Sequence, residues 1–375
     1  MTDYQPPTPN DAPPATDEQP KPDPLRSVYT TSFGEILRQT GVSLVVSTYQ
    51  AGKVILVRYD PETGTVNTHF RSFNKPMGIA VDGSRLTIGG TNTVWYYRNM
   101  PAVARKLEPV GKHDAAYLPR RIHVTGDIDI HEMAWSADGA LWLVNTRFGC
   151  LCTLDPDHSF YPRWRPPFVS ALAPEDRCHL NGLAMLNGRP QFVTALGETD
   201  TRGAWRENKA NGGLLMEVPT RRVLLRGLSM PHSPRWYDNR LWFLESGQGS
   251  LAQADIRHGT WRTIAQMPGF TRGLDFHGPL AFIGLSQVRE TATFSGIPLV
   301  ERLEERTCGV WVVDLRDGRV LGFLRFEEGV QEIFAVQLLP GVRFPEMMEW
   351  NDERLKNSYV LPDEALSDVP EEMKE

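Results

Sequence analysis

Short apolar runs separated by turn residues fill most of the chain, and the three-to-four-residue spacing of an amphipathic helix is almost absent. The runs are rich in Val, Ile, Leu, Trp and Phe, and they are interrupted by Gly, Asp, Asn and Pro. Because β-branched and aromatic residues favour strands and the interrupting residues favour turns, the pattern predicts an all-β protein.

An internal repeat predicts how these strands are arranged. Each copy contains an apolar strand, a tight turn and, in all copies but the last, a second apolar strand; a further hairpin follows in most of them. The aligned segments are PMGIAVDGSRLTIGGT, IHEMAWSADGALWLVNT, LNGLAMLNGRPQFVTAL, PHSPRWYDNRLWFLES, TRGLDFHGPLAFIGLS and QEIFAVQLLPG. Four strands per copy, repeated at roughly 40 to 60 residues, are typical of a β-propeller, so these copies predict a six-bladed β-propeller.

The two ends of the array predict how the ring closes. The first unit lacks its innermost strand and starts at SLVVSTYQAGKVILVRYD, whereas the last unit has only an innermost strand, VQEIFAVQLL. We therefore expect the C-terminal strand to pair into the N-terminal blade, which leaves no exposed edge in the ring. Two β-sandwiches, the alternative architecture, would not explain this match. The predicted organisation is a disordered Pro-rich leader (1–26), the propeller (27–345) and an acidic C-terminal tail of helix or coil (346–375).

Composition narrows the class of protein. The chain has 375 residues, 41% of them hydrophobic, and a formal net charge of -6. It contains no apolar stretch near the roughly 18 residues of a membrane span and no secretion signal, so we expect a soluble cytoplasmic protein without a membrane partner. The absence of a Lys/Arg cluster disfavours a nucleic-acid partner. Its four scattered cysteines fit reduced packing residues. The sequence leaves the oligomeric state open.

One aligned position on the innermost strands carries mainly polar residues. An innermost strand of a propeller is covered by neighbouring blades on both faces, so it should be apolar throughout. The aligned residues are Met77, His131, Asn181, His232, Arg272 and Glu332. We interpret them as the lining of the entrance to the central channel, where polar groups can meet a ligand.

The order of these residues around the ring predicts a metal site. His131, His232 and Glu332 fall on alternate blades, about one third of a turn apart, and could hold one transition metal ion, Zn, Fe, Mn or Cu. Two imidazoles disfavour calcium and magnesium, which prefer oxygen ligands. Arg272 and Asn181 would orient a substrate carbonyl or carboxylate. In the alternative interpretation the ring binds only channel waters, and Arg272 forms an ordinary ion pair with Glu332.

Carboxylates near His131 are further candidates for chemistry. Glu132, together with Asp127 and Asp129, could fix a histidine tautomer or act as a general base. We count Glu132 with Arg272 and Asn181 as candidate catalytic residues.

Long connections are predicted on the same face as the channel entrance, with only tight turns on the opposite face. The predicted long loops are 101–128, 164–179, 197–213 and 287–309. His123 and His179 lie on these loops, and polar residues follow the second strands at the same rim. The candidate substrate-binding residues are His179, Tyr49, Glu245 and Gln248. In contrast, His158, His258 and His277 fall in turns of the opposite face.

Four strings, DIDIHEMAWSADGALWLVNT, CHLNGLAM, MPHSPRW and PGFTRGLDF, resemble a family of bacterial conserved hypothetical proteins over about residues 28–345. That family has no assigned activity. The arrangement is also distantly similar to six-bladed propeller enzymes that hold a metal on the channel axis, the gluconolactonase-type lactonases and the peptidyl-hydroxyglycine lyase domain. The lactonases use oxygen-rich calcium sites, whereas the histidines of the lyase agree with His131 and His232. Glu332 departs from the lyase pattern.

The functional expectation is a metal-dependent hydrolase or lyase acting on a small-molecule or peptide-like substrate at the top of the channel. Two alternatives remain open at this point. One is a non-catalytic propeller that binds a peptide or partner protein through the same face. The other is an Fe- or Cu-dependent oxidoreductase, because two histidines and one carboxylate also suit non-haem iron.

Overall fold

Six small β-sheets stand in a ring in this computed structural model, which describes residues 24–288 and 295–373. The predicted six-bladed all-β architecture is confirmed. We number the blades in chain order from the first complete sheet, so that the sheet shared by the two ends of the chain is blade six.

The chain enters the ring through a short edge strand and a helix. These first elements are β1 (Ser27–Tyr29), α1 (Thr31–Thr40), β2 (Val42–Thr48), β3 (Lys53–Asp60) and β4 (Thr65–Ser72). The helix begins where the Thr30 hydroxyl accepts the Phe33 N–H, and it ends at Gly41, whose φ of 65° suits glycine. Phe33 and Leu37 bury the inner face of α1 in the apolar contact between blades five and six.

Each of blades one to four is a four-stranded antiparallel meander, to which blade one adds one parallel edge strand described below. Blade one contains β5 (Ile79–Asp82), β6 (Arg85–Gly89), β7 (Thr93–Asn99), the short helix α2 (Pro101–Ala104) and β8 (Ala115–Val124). Blade two contains β9 (Ile130–Trp135), β10 (Leu141–Asn145), β11 (Cys150–Thr153) and β12 (Tyr161–Trp164). Blade three contains β13 (Leu180–Leu186), β14 (Arg189–Ala195), β15 (Gly213–Glu217) and β16 (Val223–Leu228). Blade four contains β17 (Pro231–Tyr237), β18 (Arg240–Glu245), β19 (Ser250–Asp255) and β20 (Thr260–Gln266).

The C-terminal part of the chain supplies blade five and the remaining strand of blade six. Blade five contains β21 (Phe270–His277), β22 (Leu280–Ser286), the short helix α3 (Pro298–Arg302), β23 (Cys308–Asp314) and β24 (Val320–Phe326). The last elements are β25 (Ala335–Pro340), β26 (Pro345–Met347) and the short helix α4 (Asp363–Leu366). Among the described residues, no helix is long and apolar enough to cross a bilayer.

Ring closure follows the sequence prediction. β25 pairs antiparallel with β2 from Val42 opposite Pro340 to Ser47 opposite Ala335, so it is the innermost strand of the N-terminal blade. β1 adds a further strand to the outer edge of blade five by pairing with β24. Both ends of the ring are therefore hydrogen-bonded to strands that are distant in sequence.

Apolar side chains of neighbouring blades form the core. Between blades five and six, for example, Leu44 and Val46 pack with Phe282 and Val310, and all four are fully buried. The four cysteines are free and buried, as expected for packing residues, and burial raises the pKa of the Cys150 thiol to about 12.

The distribution of connections between the two faces of the ring differs from the prediction in one respect. Connections from blade to blade, and those between second and third strands, share the upper face. The prediction that 101–128 forms an upper-face loop is wrong, because Ala115–Val124 is the fourth strand of blade one and α2 lies on the lower face. The lower face therefore has more than tight turns. His123 belongs to β8, where its Nε2 lies 3.2 Å from the Ser159 carbonyl oxygen.

Ordered structure continues beyond residue 345. β26 pairs in parallel with the outer edge of blade one, and both Met347 and Met348 are fully buried. The predicted tail therefore begins within a sheet. Most of the predicted leader, residues 1–23, lies outside the described residues, as do residues 289–294 and 374–375.

Candidate functional site

A cavity of about 180 Å³ opens at the upper end of the ring axis. All six blades contribute to its wall, either through the entrance to an innermost strand or through an upper-face connection. The polar lining residues are Tyr49, Lys75, Asp129, His131, His179, Arg206, His232 and Arg272. The others are Met77, Leu196, Trp205, Met230, Phe270 and Phe334. We call this cavity the axial pocket.

A repeated backbone turn directs side chains into the axial pocket. Lys75, Asp129, His179 and Met230 have φ values of 52°, 54°, 50° and 46°, and each lies two residues before an aligned mouth position. This left-handed region is unfavourable for residues other than glycine and costs of order 1–3 kcal/mol where it occurs. All four line the pocket. The chain thus carries side chains at positions where glycine would relieve the strain.

His131 has a fixed tautomer. Its Nδ1 lies 3.1 Å from the Asp129 carbonyl oxygen and 2.8 Å from the Thr146 hydroxyl. A carbonyl oxygen can only accept, so Nδ1 carries the hydrogen; the Thr146 hydroxyl in turn donates to the Leu180 carbonyl at 2.6 Å. The unprotonated nitrogen, Nε2, is left for the pocket.

His232 repeats this arrangement two blades away. Its Nδ1 donates to the Met230 carbonyl oxygen at 2.9 Å and lies 3.0 Å from the Ser246 hydroxyl, which donates to the Thr271 carbonyl at 2.5 Å. His131 and His232 are only 6% and 4% exposed. Burial, followed by the nearby Arg272 and the other imidazoles, holds the pKa of each ring well below its usual value. Both rings are therefore neutral at neutral pH.

His179 is oriented by a carboxylate. Its Nδ1 lies 3.0 and 3.1 Å from the two oxygens of Asp176, which also accepts the Trp205 indole N–H at 2.9 Å. The His179 ring lies 4.7 Å from the His131 ring and 4.4 Å from the Trp205 ring, measured between centroids. A histidine held in this way by an aspartate presents Nε2 to the pocket as a proton acceptor.

Arg272 stacks on an aromatic ring. Its guanidinium carbon lies 3.6 Å from the centroid of Phe334, and Phe334 also contacts His131 and Tyr49 edge-on. The alternative interpretation of an Arg272–Glu332 ion pair is wrong, because no ion pair joins Arg272 to any carboxylate in the described part of the chain. Burial lowers the pKa of Arg272, although the group stays charged in protein.

Three predicted site residues, the mouth residues Asn181 and Glu332 and the candidate catalytic Glu132, lie outside the lining of the pocket. Asn181 is buried, and its Oδ1 accepts the Thr194 hydroxyl at 2.7 Å. Glu132 forms an ion pair with Arg235 at 2.8 Å. Glu332 precedes β25 by three residues, and Phe334 takes its place on the pocket wall. The aligned position was thus shifted by two residues in blade six.

Among the predicted substrate-binding residues, Tyr49 and His179 line the axial pocket, whereas Glu245 and Gln248 do not. The Glu245 carboxylate accepts the Ser229 N–H at 3.2 Å and the Trp261 indole N–H at 3.1 Å, so it supports blade four. The Gln248 carbonyl accepts from Arg302 at 3.0 Å.

The predicted metal set is not assembled. Within residues 24–288 and 295–373, no three His, Cys, Asp or Glu side chains are arranged to hold one metal ion. His131 and His232 fit a metal in their chemistry, since each is neutral and donates its Nδ1–H to an oxygen. The third predicted ligand, Glu332, does not line the pocket. Metal binding stays a prediction.

Several pocket residues were missed in the sequence. Asp176 stands three residues before His179, a spacing that could have suggested the pair. Trp205 and Arg206 lie in the long connection of blade three, and no sequence signal distinguishes them there. Lys75, which pairs with Asp129 at 3.3 Å, occupies the same repeat position as His179, two residues before the mouth.

Solved structures support the fold. The chain is similar to a chain in a crystal structure of a nidogen/laminin complex, with 10% identity, a TM-score of 0.52 and coverage of 80% of this chain and 99% of that one. It is equally similar to a protein of unknown function from Bacteroides caccae, with 10% identity, a TM-score of 0.50 and coverage of 80% and 98%. At this identity the likeness extends to the fold alone.

Sequence comparison identifies the family. No curated protein sequence matches the chain. A family model described as a domain of unknown function, DUF4915, matches residues 31–348, which span all six blades and the first part of the C-terminal segment. The chain therefore belongs to the DUF4915 family.

Proposed function

We propose that the protein is an enzyme that moves a proton to or from a small substrate bound in the axial pocket, in a lyase or hydrolase reaction. The observation that supports this most directly is the Asp176–His179 pair, with Nδ1 3.0 Å from the carboxylate, on the wall of a pocket that also contains Arg272. Proton transfer needs a base held in one orientation near a bound substrate, and this pair meets that requirement.

Each group has a defined role in the proposed reaction. His179 accepts the proton at Nε2, and Asp176 stabilises the imidazolium that forms. His131 and His232 stay neutral and accept hydrogen bonds at Nε2 from a substrate hydroxyl or a water molecule. Arg272 holds the substrate. The cavity of about 180 Å³ suits a small molecule, since pockets for drug-sized ligands measure about 300–1,000 Å³.

The test is turnover of a defined library of small organic molecules in D₂O, followed by proton NMR. We expect one member to lose or exchange a proton, and His179→Gln to reduce the rate about 100-fold or more while the substrate still binds. Asp176→Asn should lower the rate through loss of ring orientation. The matched control is His258→Gln, which removes an exposed imidazole that also lies beside an aspartate, Asp255, at 2.8 Å. Equal rates in H179Q and wild type would contradict the proposal.

A metal-dependent hydrolase or lyase, or an Fe- or Cu-dependent oxidoreductase, is the second candidate. It is favoured by His131 and His232, which are neutral and have Nδ1–H bonded to oxygen, the state that metal ligands require. A bound Zn, Fe, Mn or Cu ion would supply a Lewis acid. The metal-free reaction ranks first because a third ligand is not in place among the described residues.

Elemental analysis of protein purified without a histidine tag distinguishes the two candidates. Metal dependence predicts about one transition metal ion per chain, lost in both His131→Ala and His232→Ala. The metal-free reaction predicts turnover that survives dialysis against a chelator. Folded protein that binds small molecules but converts none would indicate a non-catalytic binding propeller.

We place this activity in the cytoplasm. The four cysteines are free thiols, which fits a reducing compartment. A small-molecule substrate, rather than nucleic acid or a membrane, is the proposed partner.

A further inference from the structure

Among the described residues, Arg272 is the one cation on the wall of the axial pocket that has no acid within ion-pair distance. Lys75 Nζ lies 3.3 Å from Asp129, and Arg206 lies 3.5 Å from Asp176, so both have an acidic partner. Arg272 has none within ion-pair distance in the described part of the chain. Glu332, Asp129 and Glu132 attract Arg272 from beyond that distance, and Glu332 is itself an acid without an ion-pair partner among the described residues, with its Oε2 buried and not hydrogen-bonded.

The guanidinium of Arg272 is also unused as a hydrogen-bond donor. No described residue accepts from its N–H groups, although a guanidinium carries five of them. The Phe334 ring covers one face at 3.6 Å, a contact that leaves the in-plane N–H groups free. These N–H groups lie on the wall of an open pocket, where the acceptor oxygens of a bound ligand can reach them.

Charge and size restrict the identity of this ligand. A guanidinium fork fits the two oxygens of a carboxylate and can hold them with two parallel hydrogen bonds. A phosphate monoester carries about 1.5 to 2 negative charges and would need a second free cation. The other half of the wall is apolar, through Met77, Leu196, Met230 and Phe270.

We propose that the axial pocket selects a small monocarboxylate, whose carboxylate is bound by Arg272 and whose remaining atoms lie against the apolar wall below His179. This inference names the substrate class of the proposed function. It rests on the proposed function, because it takes the axial pocket to be the substrate site. Arg272 is thereby a specificity-determining residue.

The test is calorimetric titration of the full chain with acetate, isobutyrate, lactate, pyruvate and benzoate, each beside its primary amide, and with inorganic phosphate. We expect at least one acid to bind about 10-fold or more tightly than its amide and than phosphate. A charge-assisted bidentate hydrogen bond corresponds to a roughly 10- to 100-fold difference in affinity. Arg272→Met should therefore weaken the binding of that acid by about this factor. Arg272→Lys keeps the charge and loses the bidentate geometry, so its affinity for the acid should lie between those of wild type and Arg272→Met.

The controls distinguish a specific role of Arg272 from a general effect of positive charge, and they distinguish binding from turnover. Arg257→Met removes an exposed cation of the lower face and should leave affinity unchanged. The inference is overturned if no acid binds, if the amides bind equally well, or if folded R272M and R272K keep wild-type affinity. Arg272-dependent binding without conversion of any bound acid would refute the enzymatic proposal and leave the carboxylate assignment standing.

Discussion

At the residue scale, a Ser or Thr hydroxyl near the end of a second strand supports the backbone in some blades and a pocket histidine in others. Ser286 and Ser47, at the ends of second strands, accept a backbone N–H from Ile333 at 3.0 Å and from Ala335 at 3.1 Å. In blades two and four, Thr146 and Ser246 accept an imidazole N–H instead. The hydroxyl that accepts a backbone N–H in blades five and six thus supports a pocket histidine in blades two and four.

Removing the Thr146 hydroxyl should lower the stability of the protein and loosen the hold on the His131 tautomer. Thr146→Val leaves the Leu180 carbonyl without this donor, so we expect the free energy of unfolding to fall by about 1–3 kcal/mol. The Nδ1–H tautomer of His131 should become less populated, because only the Asp129 carbonyl still accepts from it. Urea unfolding and nitrogen NMR of the imidazole rings measure the two effects.

Ser286→Ala is the matched control for Thr146→Val. It removes the equivalent hydroxyl from a blade whose hydroxyl contacts backbone only, so stability should fall by a similar amount while the histidine spectra stay unchanged. Identical histidine spectra in wild type and folded T146V would show that the hydroxyl does not hold the tautomer.

Sequence alone located His131, His232, Arg272, Tyr49 and His179 in the pocket. It could do so because strand entrances repeat, and a polar residue at a repeatedly apolar position is conspicuous. The Asp176–His179 contact depends instead on a left-handed turn and on a long loop, neither of which has a periodic pattern. Glu332 was misplaced because the chain before β25 is irregular, and an alignment of strands cannot detect a shift of two residues there.

At the scale of elements, β26 fastens the C-terminal segment between blades six and one. Glu346 of β26 is 9% exposed and lies 2.7 Å from Arg71 and 3.0 Å from His69, with Arg58 at 3.8 Å. Burial alone would raise the pKa of Glu346, but His69 and Arg71 outweigh it and lower the pKa to about 2. In the sequence, the segment from position 346 onward is rich in acidic residues, which suggested a tail.

Glu346→Gln should destabilise the protein strongly. It leaves the partly buried Arg58 and Arg71 without their acid, and breaking a buried pair in this way costs about 3–5 kcal/mol. Because the folded pKa is depressed, the contribution of Glu346 is fully present above its usual value of 4.5 and is lost as the pH falls toward about 2. Urea unfolding of wild type and E346Q at several pH values tests this.

The stabilities of wild type and E346Q should become similar at low pH. The difference in unfolding free energy between wild type and E346Q is expected to shrink between pH 4.5 and pH 2. Glu349→Gln is the control, since this exposed neighbour makes no ion pair among the described residues. A difference that is constant with pH would contradict the assignment.

At the scale of the whole molecule, the fold was predictable because its signal is global. Six copies of one strand pattern, with a missing strand at one end and a spare one at the other, specify blade number and closure together. Loop placement was less certain, because β8, with the sequence AAYLPRRIHV, contains a proline and two arginines and does not look like a strand.

Truncation tests the role of closure. A chain that ends at Gln331 lacks β25 and β26, so β2 becomes an unpaired innermost edge, and we expect insoluble or unfolded protein. A chain that ends at Trp350 keeps both strands and should fold with nearly the wild-type circular dichroism spectrum. A soluble, folded Gln331 truncation would show that the ring does not need its closing strand.

Ring closure by β25 also sets the timing of folding during protein synthesis. Blade six cannot be completed until residue 340 has left the ribosome, so β2 waits with an open edge while the other five blades are made. During that interval the nascent chain exposes a surface that can pair with other chains. Cells that produce this protein quickly should therefore depend on chaperones that bind ribosome-attached chains.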